Sequence, residues 1–114
     1  TGSLIVNGTY VHNANSSTIP GVSPASGVTY GSSSTINVGN GLSGVTSVLP
    51  TLPSAIAGNV IWNTPNGSFS ATAFFQTTPT TISGNFTIVS TGATLFNSSA
   101  STARTFNIGG NLEI

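Results

Sequence analysis

The chain contains no cysteine, methionine, lysine or aspartate, and only 2% of its 114 residues are charged. Because cysteine is absent, disulfide bonds and thiolate metal sites are excluded. The single cation, Arg104, leaves no basic surface for a phosphate backbone, so nucleic acid is excluded as an electrostatic partner. No apolar run approaches the roughly 18 residues that a membrane-spanning helix requires, and we predict no membrane insertion.

Groups for acid–base and nucleophilic catalysis are equally scarce. Glu113 is the only carboxylate side chain, which excludes the paired carboxylates of glycoside hydrolysis. His12 is the only histidine, and no aspartate is present to complete a Ser-His-Asp triad. We interpret His12 as a surface or loop residue, and we predict that the chain is not an enzyme and holds no cofactor or metal.

The stretch Gly39–Gly44 matches the glycine pattern of a dinucleotide-binding loop. Such a loop opens a helix and needs an acidic residue about 20 positions later. Here Val45–Pro50 has the character of a strand and a turn, and no acidic residue occurs before Glu113. We interpret the glycines as a flexible loop.

What the chain does contain is glycine, serine, threonine and asparagine, which make up 62 of its 114 residues. Hydrophobic residues still reach 37% and occur in short clusters between polar stretches, which is a strand-and-turn pattern. No window shows the apolar spacing of an amphipathic helix. The sequence therefore predicts an all-β fold.

A motif recurs three times at a constant spacing. The copies are Ile56–Trp62 (IAGNVIW), Ile82–Ile88 (ISGNFTI) and Ile108–Ile114 (IGGNLEI). Apolar residues stand at the first, fifth and seventh positions, which is the period of a strand with one buried face. Repeats of this length, built from strands and glycine-rich turns, indicate rungs that stack to share a core.

The predicted fold is a single-stranded parallel β-solenoid, a right-handed β-helix of about four to five rungs with a period of about 26 residues. We treat residues 1–114 as one unit of a longer tandem array, because Thr1–Asn7 echoes Thr91–Asn97 and would continue the repeat after Ile114. Three inward columns are predicted: Ile56, Ile82 and Ile108; Val60, Phe86 and Leu112; and Trp62, Ile88 and Ile114.

The glycines and asparagines of the motif are predicted to stack as well. Gly58, Gly84 and Gly110 mark a corner that needs either a positive φ or a close approach of two backbones. Asn59, Asn85 and Asn111 form a ladder in which each amide bonds the next rung. The alternative is that these asparagines only favour the turn.

The first half of the chain is less regular. Strands are predicted at Leu4–Val6, Thr9–Val11, Val28–Tyr30, Thr35–Val38, Val45–Leu49 and Ser68–Phe75. Residues 13–27 and 39–55 are predicted to leave the stack as loops.

Several segments resemble large secreted surface proteins of Bacteroidetes. They are Asn7–Asn13 with Thr18–Pro20, Ile82–Gly92 and Thr105–Leu112, and the likeness covers roughly residues 1–20 and 56–114. The resemblance implies a right-handed parallel β-helix, exported by the type IX secretion route and held at the cell surface. It implies no defined biochemical activity.

Other features have both a functional and a structural interpretation. Asparagine sequons occur at Asn7, Asn15, Asn66, Asn85 and Asn97. Of these, Asn15, Asn66 and Asn97 are the candidates for glycosylation, while Asn85 should resist it within a ladder. Arg104 and Glu113 are candidates for an exposed ion pair. Tyr10, Tyr30 and Trp62 could form a platform for sugars, although Trp62 fits a core column better.

We predict an extracellular structural or adhesive protein, a unit of a cell-surface fibre or stalk whose partners are identical or similar units stacked head to tail. One alternative is a solenoid that binds surface glycans or ice. Thr77, Thr78, Thr80 and Thr81 cluster but do not recur at the repeat spacing, which disfavours ice. Another alternative is a glycosylated pilus subunit completed by a strand donated from its neighbour.

Overall fold

A computed structural model describes residues 2–13, 18–22, 26–39, 44–46, 51–69, 80–92 and 105–114, with the backbone alone for 44–46 and 67–69. Within these ranges the chain is all-β, with parallel sheets and no α-helix. The strands are β1 (Leu4–Val6), β2 (Thr9–His12), β3 (Val28–Tyr30), β4 (Thr35–Val38), β5 (Gly44–Thr46), β6 (Ala55–Ile56), β7 (Asn59–Asn63), β8 (Gly67–Phe69), β9 (Thr80–Ile82), β10 (Phe86–Ser90), β11 (Phe106–Ile108) and β12 (Leu112–Glu113).

The predicted strands of the irregular first half are confirmed, with small shifts at their ends. β1, β3 and β4 have the predicted bounds, and β2 extends one residue further, to His12. β5 begins at Gly44 and covers the start of the strand predicted at Val45–Leu49, and the rest of that prediction lies outside the described residues. β8 covers the start of the predicted strand at Ser68, and the rest of that prediction lies outside the described residues.

Two series of strands run side by side along the molecule. One is a five-stranded parallel sheet in the order β12-β10-β7-β4-β2. The other consists of β1-β3 and β11-β9-β6, which a hydrogen bond from the Ala57 N–H to the Tyr30 carbonyl connects at 3.3 Å. We call each pair of strands that the chain passes in succession a layer: β1/β2, β3/β4, β6/β7, β9/β10 and β11/β12. Outside this pairing, β5 pairs with β8.

The register shows that the chain returns to the same place once per layer. Phe86 lies opposite both Val60 and Leu112, at the same distance along the sequence in each direction. Thr35 lies opposite Asn59, a step that is two residues shorter. Residues that are paired on adjacent parallel strands point to the same face of the sheet, because the pleats of the strands are aligned. Apolar residues of successive layers therefore stack in columns.

The core lies between the two series of strands. Its buried residues are Ile19, Tyr30, Ile36, Val38, Leu52, Ile56, Val60, Trp62, Ile82 and Phe86. β4 and β7 show why these strands form here, since buried and half-buried residues alternate along both. The register extends the columns to the first layers, so that Tyr10 and Ile36 align with Val60, and His12 and Val38 align with Trp62.

The predicted columns are buried in the middle of the stack and exposed at its end. Ile108 and Ile88 are half-buried, whereas Leu112 is 53% exposed and Ile114 is 94% exposed. The structure therefore corrects the expectation that Leu112 and Ile114 are core residues. The reason is that β12 is paired on one side only, with β10, and no further layer within the described residues covers it.

Two isoleucines on opposite faces test this arrangement. We expect Ile82→Ala to lower the free energy of unfolding by about 2–5 kcal/mol, since it leaves a cavity in the core. Ile5→Ala should change it by about 0.5 kcal/mol or less. Ile82 is fully buried and Ile5 is 60% exposed. Chemical denaturation of the two variants measures both values, and equal losses would contradict the placement of the core.

Candidate functional site

The asparagines of the repeat lie in one stack, at the corner where each layer passes from one series of strands to the other. The N–H of Asn85 donates to Oδ1 of Asn59 at 2.9 Å, and the N–H of Asn111 donates to Oδ1 of Asn85 at 2.9 Å. The side-chain carbonyl of each asparagine thus bonds the backbone of the next layer.

The corner glycines stack one layer apart, joined by their own backbones. The N–H of Gly84 donates to the carbonyl of Gly58 at 3.1 Å, and that of Gly110 donates to the carbonyl of Gly84 at 3.0 Å. None of the three has a positive φ, so the close approach is what requires glycine here. A Cβ on Gly84 would lie 2.6 Å from the carbonyl oxygen of Gly58.

A cluster of aromatic rings occupies the first two layers. The Tyr10 hydroxyl and Nδ1 of His12 are hydrogen-bonded at 3.2 Å, and the rings of Tyr10 and Tyr30 meet edge to face with centroids 6.2 Å apart. His12 is only 2% exposed, so the interpretation of a surface or loop histidine is wrong. The sequence signal for this position is the spacing of two residues between Tyr10 and His12, which places both side chains on the inward face of β2.

The Tyr30 hydroxyl is buried and has no hydrogen-bond partner among the described residues. Burial raises the pKa of Tyr30 to about 12, with a further contribution from Tyr10. Burial also raises the pKa of Tyr10. The Tyr30 phenol therefore stays neutral to a pH well above the usual tyrosine range, and the pKa of Tyr10 is shifted in the same direction.

Trp62 is buried between the sheets, where its Nε1 donates to Oγ1 of Thr64 at 3.0 Å. Trp62 and Tyr30 are buried and Tyr10 is half-buried, so the three rings do not form a continuous exposed platform.

The predicted modification and ion-pair residues are only partly described. Asn66 is exposed in a turn after β7, which leaves its sequon accessible. Asn15, Asn97 and Arg104 lie outside the described residues. Glu113 is exposed and accepts a hydrogen bond from the Thr87 hydroxyl at 3.2 Å.

Two strand edges are exposed, one at each end of the stack. Among the described strands, β2 is paired only with β4, and β12 only with β10. Large apolar side chains accompany these edges: Leu4, Ile5 and Val11 in the first layer, and Leu112 and Ile114 in the last. Unpaired backbone groups beside apolar side chains form a surface that is complementary to another strand.

A cavity of about 330 Å³ opens beside β3, where its walls include Gly21, Val28, Tyr30, Pro53 and Ala55. The described residues that line it carry no carboxylate, imidazole or ammonium group. In the part of the chain that the structure describes, histidine, aspartate and glutamate side chains do not gather in a group that could hold a metal ion. The same part of the chain contains no helix that is long and apolar enough to cross a membrane.

Comparison of the chain with protein-family models, with characterised proteins and with solved structures finds no match.

The close approach at the corner predicts unequal effects for two glycine substitutions. Gly84→Ala should destabilise the fold by about 1–3 kcal/mol, because its Cβ must displace the backbone of the layer beneath. Gly8→Ala should be nearly neutral, since a Cβ at Gly8 meets nothing within 4 Å. Thermal denaturation of both variants measures the difference. A Gly84→Ala variant as stable as Gly8→Ala would show that the backbones are not in contact.

The raised pKa of Tyr30 predicts a loss of stability in alkali. Tyrosine in an unfolded chain titrates near pH 10, and the pKa of Tyr30 in the folded chain is about 12. The unfolded state therefore loses its proton first, so stability is complete below pH 10 and decreases between pH 10 and 12. Tyr30→Phe should reduce this decrease.

Tyr10→Phe is the matched control at neutral pH. Tyr30→Phe removes a hydroxyl without a described partner and should leave stability at pH 7 unchanged or higher, whereas Tyr10→Phe loses the bond to His12. Urea denaturation at pH 7 and at several values between 9 and 12 measures both effects. An unchanged alkaline decrease in Tyr30→Phe would contradict the assignment.

Proposed function

We propose that this chain is a structural or adhesive unit of an extracellular, cell-surface fibre, and that its layers are successive turns of a right-handed β-helix. The observation that carries the proposal is the stack of in-register parallel layers whose two outermost strands are each paired on one side only among the described strands. Connections between parallel strands of one sheet are right-handed in about 98% of cases, which supports the handedness.

The second support is the scarcity of ionic groups. One Arg and one Glu in 114 residues leave the fold dependent on backbone ladders and apolar columns. These interactions contain no ion pair that salt would screen, which suits material that meets variable surroundings. The same scarcity of charge disfavours catalysis, and the role proposed is not enzymatic.

The third support is that the two ends of the stack of strands carry different exposed edges. A head-to-tail contact uses different surfaces of the two copies and extends without closing, which builds a filament rather than a dimer. Exposed edges with apolar side chains lie at opposite ends of the strand order, in β2 and β12, as such a contact requires. The resemblance to secreted surface proteins of Bacteroidetes agrees with an extracellular fibre.

Electron microscopy and fibre diffraction of the purified chain test this role. We expect unbranched filaments and a reflection near about 4.8 Å along the filament axis, the spacing of stacked strands. Leu112→Lys should suppress the filaments without unfolding the chain, because Leu112 is 53% exposed and a charged edge opposes strand pairing.

Leu112→Ser is the control that keeps the β12 edge uncharged, and it should reduce filament formation less than Leu112→Lys does. A chain that stays monomeric at high concentration by light scattering would contradict the proposal. Thermal hysteresis measured on the same sample would favour the ice-binding alternative.

A further inference from the structure

We infer that a second copy of this chain docks with its first layer on the last layer of the copy before it, in one register that places Tyr10 beside Leu112. This inference rests on the head-to-tail stacking proposed above and adds the residues that meet. It follows from extending the observed columns by one layer.

The backbone of the corner sets the first contact. In the last three layers the N–H at the asparagine position donates to the layer before it: Asn59 to the Ser34 carbonyl, Asn85 to Oδ1 of Asn59, and Asn111 to Oδ1 of Asn85. Oδ1 of Asn111 is therefore the acceptor that a following layer would use. Thr9 occupies this position in the first layer, aligned with Thr35 and through it with Asn59. Docking brings the Thr9 N–H to Asn111 Oδ1.

The apolar columns set the same register independently. Tyr10 begins the column that runs through Ile36, Val60 and Phe86 to Leu112. Stacking a copy in this frame places Tyr10 on Leu112 and, two residues later, His12 on Ile114. The contact covers the two exposed side chains at the end of the core.

The second series of strands gives a matching contact. There the partners align as Leu4 with Val28 and Val6 with Tyr30 in the first layers, and as Thr80 with Phe106 and Ile82 with Ile108 in the last. The next copy's Leu4 and Val6 then meet Phe106 and Ile108. Both series require the same displacement of one layer, so a single rigid placement satisfies them.

Charge favours this contact over one between two identical edges. Glu113 lies on the outer face of β12, in the column that contains Val11, Asn37, Ile61 and Thr87. In the head-to-tail register it lies beside the uncharged Val11 of the next copy. Two β12 edges facing each other would bring two Glu113 carboxylates together, and like charges on adjacent strands are destabilising.

The register also limits the length of any covalent connection between copies. Aligned residues of successive layers are one full repeat apart, as for Val60 with Phe86, or two residues less, as for Thr35 with Asn59. Suppose that Thr1 of one copy followed Ile114 of the preceding copy directly. The number of residues between Leu112 of the first copy and Tyr10 of the second would then be only about half of a full repeat. The direct join that the echo between Thr1–Asn7 and Thr91–Asn97 suggested would therefore leave the second copy half a layer out of step, and a connection of about half a repeat restores the frame.

Cysteine cross-linking tests the register, since the natural chain has no cysteine. Two matched pairs of exposed outer-face positions are available, one in each series: Val11→Cys mixed with Glu113→Cys, and Ile5→Cys mixed with Asn107→Cys. Adjacent strands lie about 4.8 Å apart, within the Cα separation of about 4.4–6.8 Å that a disulfide spans. Each mixture should give a disulfide-linked heterodimer under mild oxidation.

The crossed mixtures are the controls: Val11→Cys with Asn107→Cys, and Ile5→Cys with Glu113→Cys. These join positions in different series and should give at least tenfold less heterodimer. Light scattering on the same samples separates the two levels of the proposal. Absence of any oligomer overturns the stacking itself. Oligomers that cross-link in the crossed pairs as well as in the matched pairs overturn the register while leaving the assembly itself standing.

Discussion

The structure depends on one contact, the direct approach of successive layers at the Gly-Asn corner. There the backbones of Gly58, Gly84 and Gly110 bond one another, and the asparagine side chains bond the layer that follows. Glycine places no side chain between the layers at this point, so their spacing is that of hydrogen-bonded strands. With this spacing, the pairing register places apolar residues on apolar residues of the neighbouring layer. The core columns are a consequence of the corner.

The layers that depart from the regular pattern bury hydroxyl groups that have no hydrogen-bond partner among the described residues. In the second layer Ser34 replaces the glycine, and its hydroxyl is buried without a hydrogen-bond partner among the described residues. Tyr30 and Thr80 carry two more buried hydroxyls of this kind, in positions where neighbouring layers place Ile56 and Phe106. Each such group costs about 1–3 kcal/mol. The regular layers must offset these costs, which is why substitutions at Gly84 and Ile82 are expected to be severe.

The sequence predicted the repeated half well and the first half only as separate strands. The Gly-Asn pair is absent from the first two layers, where Gly8-Thr9 and Ser34-Thr35 stand at the corner, and the step from Thr35 to Asn59 is two residues shorter than the repeat. A search at one period therefore does not align the second layer with the third. His12 was taken for a surface or loop residue because it follows the strand predicted at Thr9–Val11 and stands next to Asn13. The exposure of Leu112 and Ile114 was hidden for another reason. A column identifies which residues share a face, but the column by itself does not show which layer is the outermost.

A stack with unpaired strand edges must disfavour contacts between two identical edges and still allow the head-to-tail contact. The position of the single negative charge serves both requirements. Glu113 is the only carboxylate side chain of the chain, and it lies on the edge strand β12 with its side chain turned outward toward Thr87. A charge there opposes pairing with another β12 edge without entering the apolar columns that Leu112 and Ile114 would continue. The Glu113 carboxylate thus determines which strand edge can pair with β12. The inward side chains of Leu112 and Ile114 supply the affinity of that contact. It follows that removing the charge should broaden the contacts that the edge accepts, whereas removing the apolar side chains should weaken all of them.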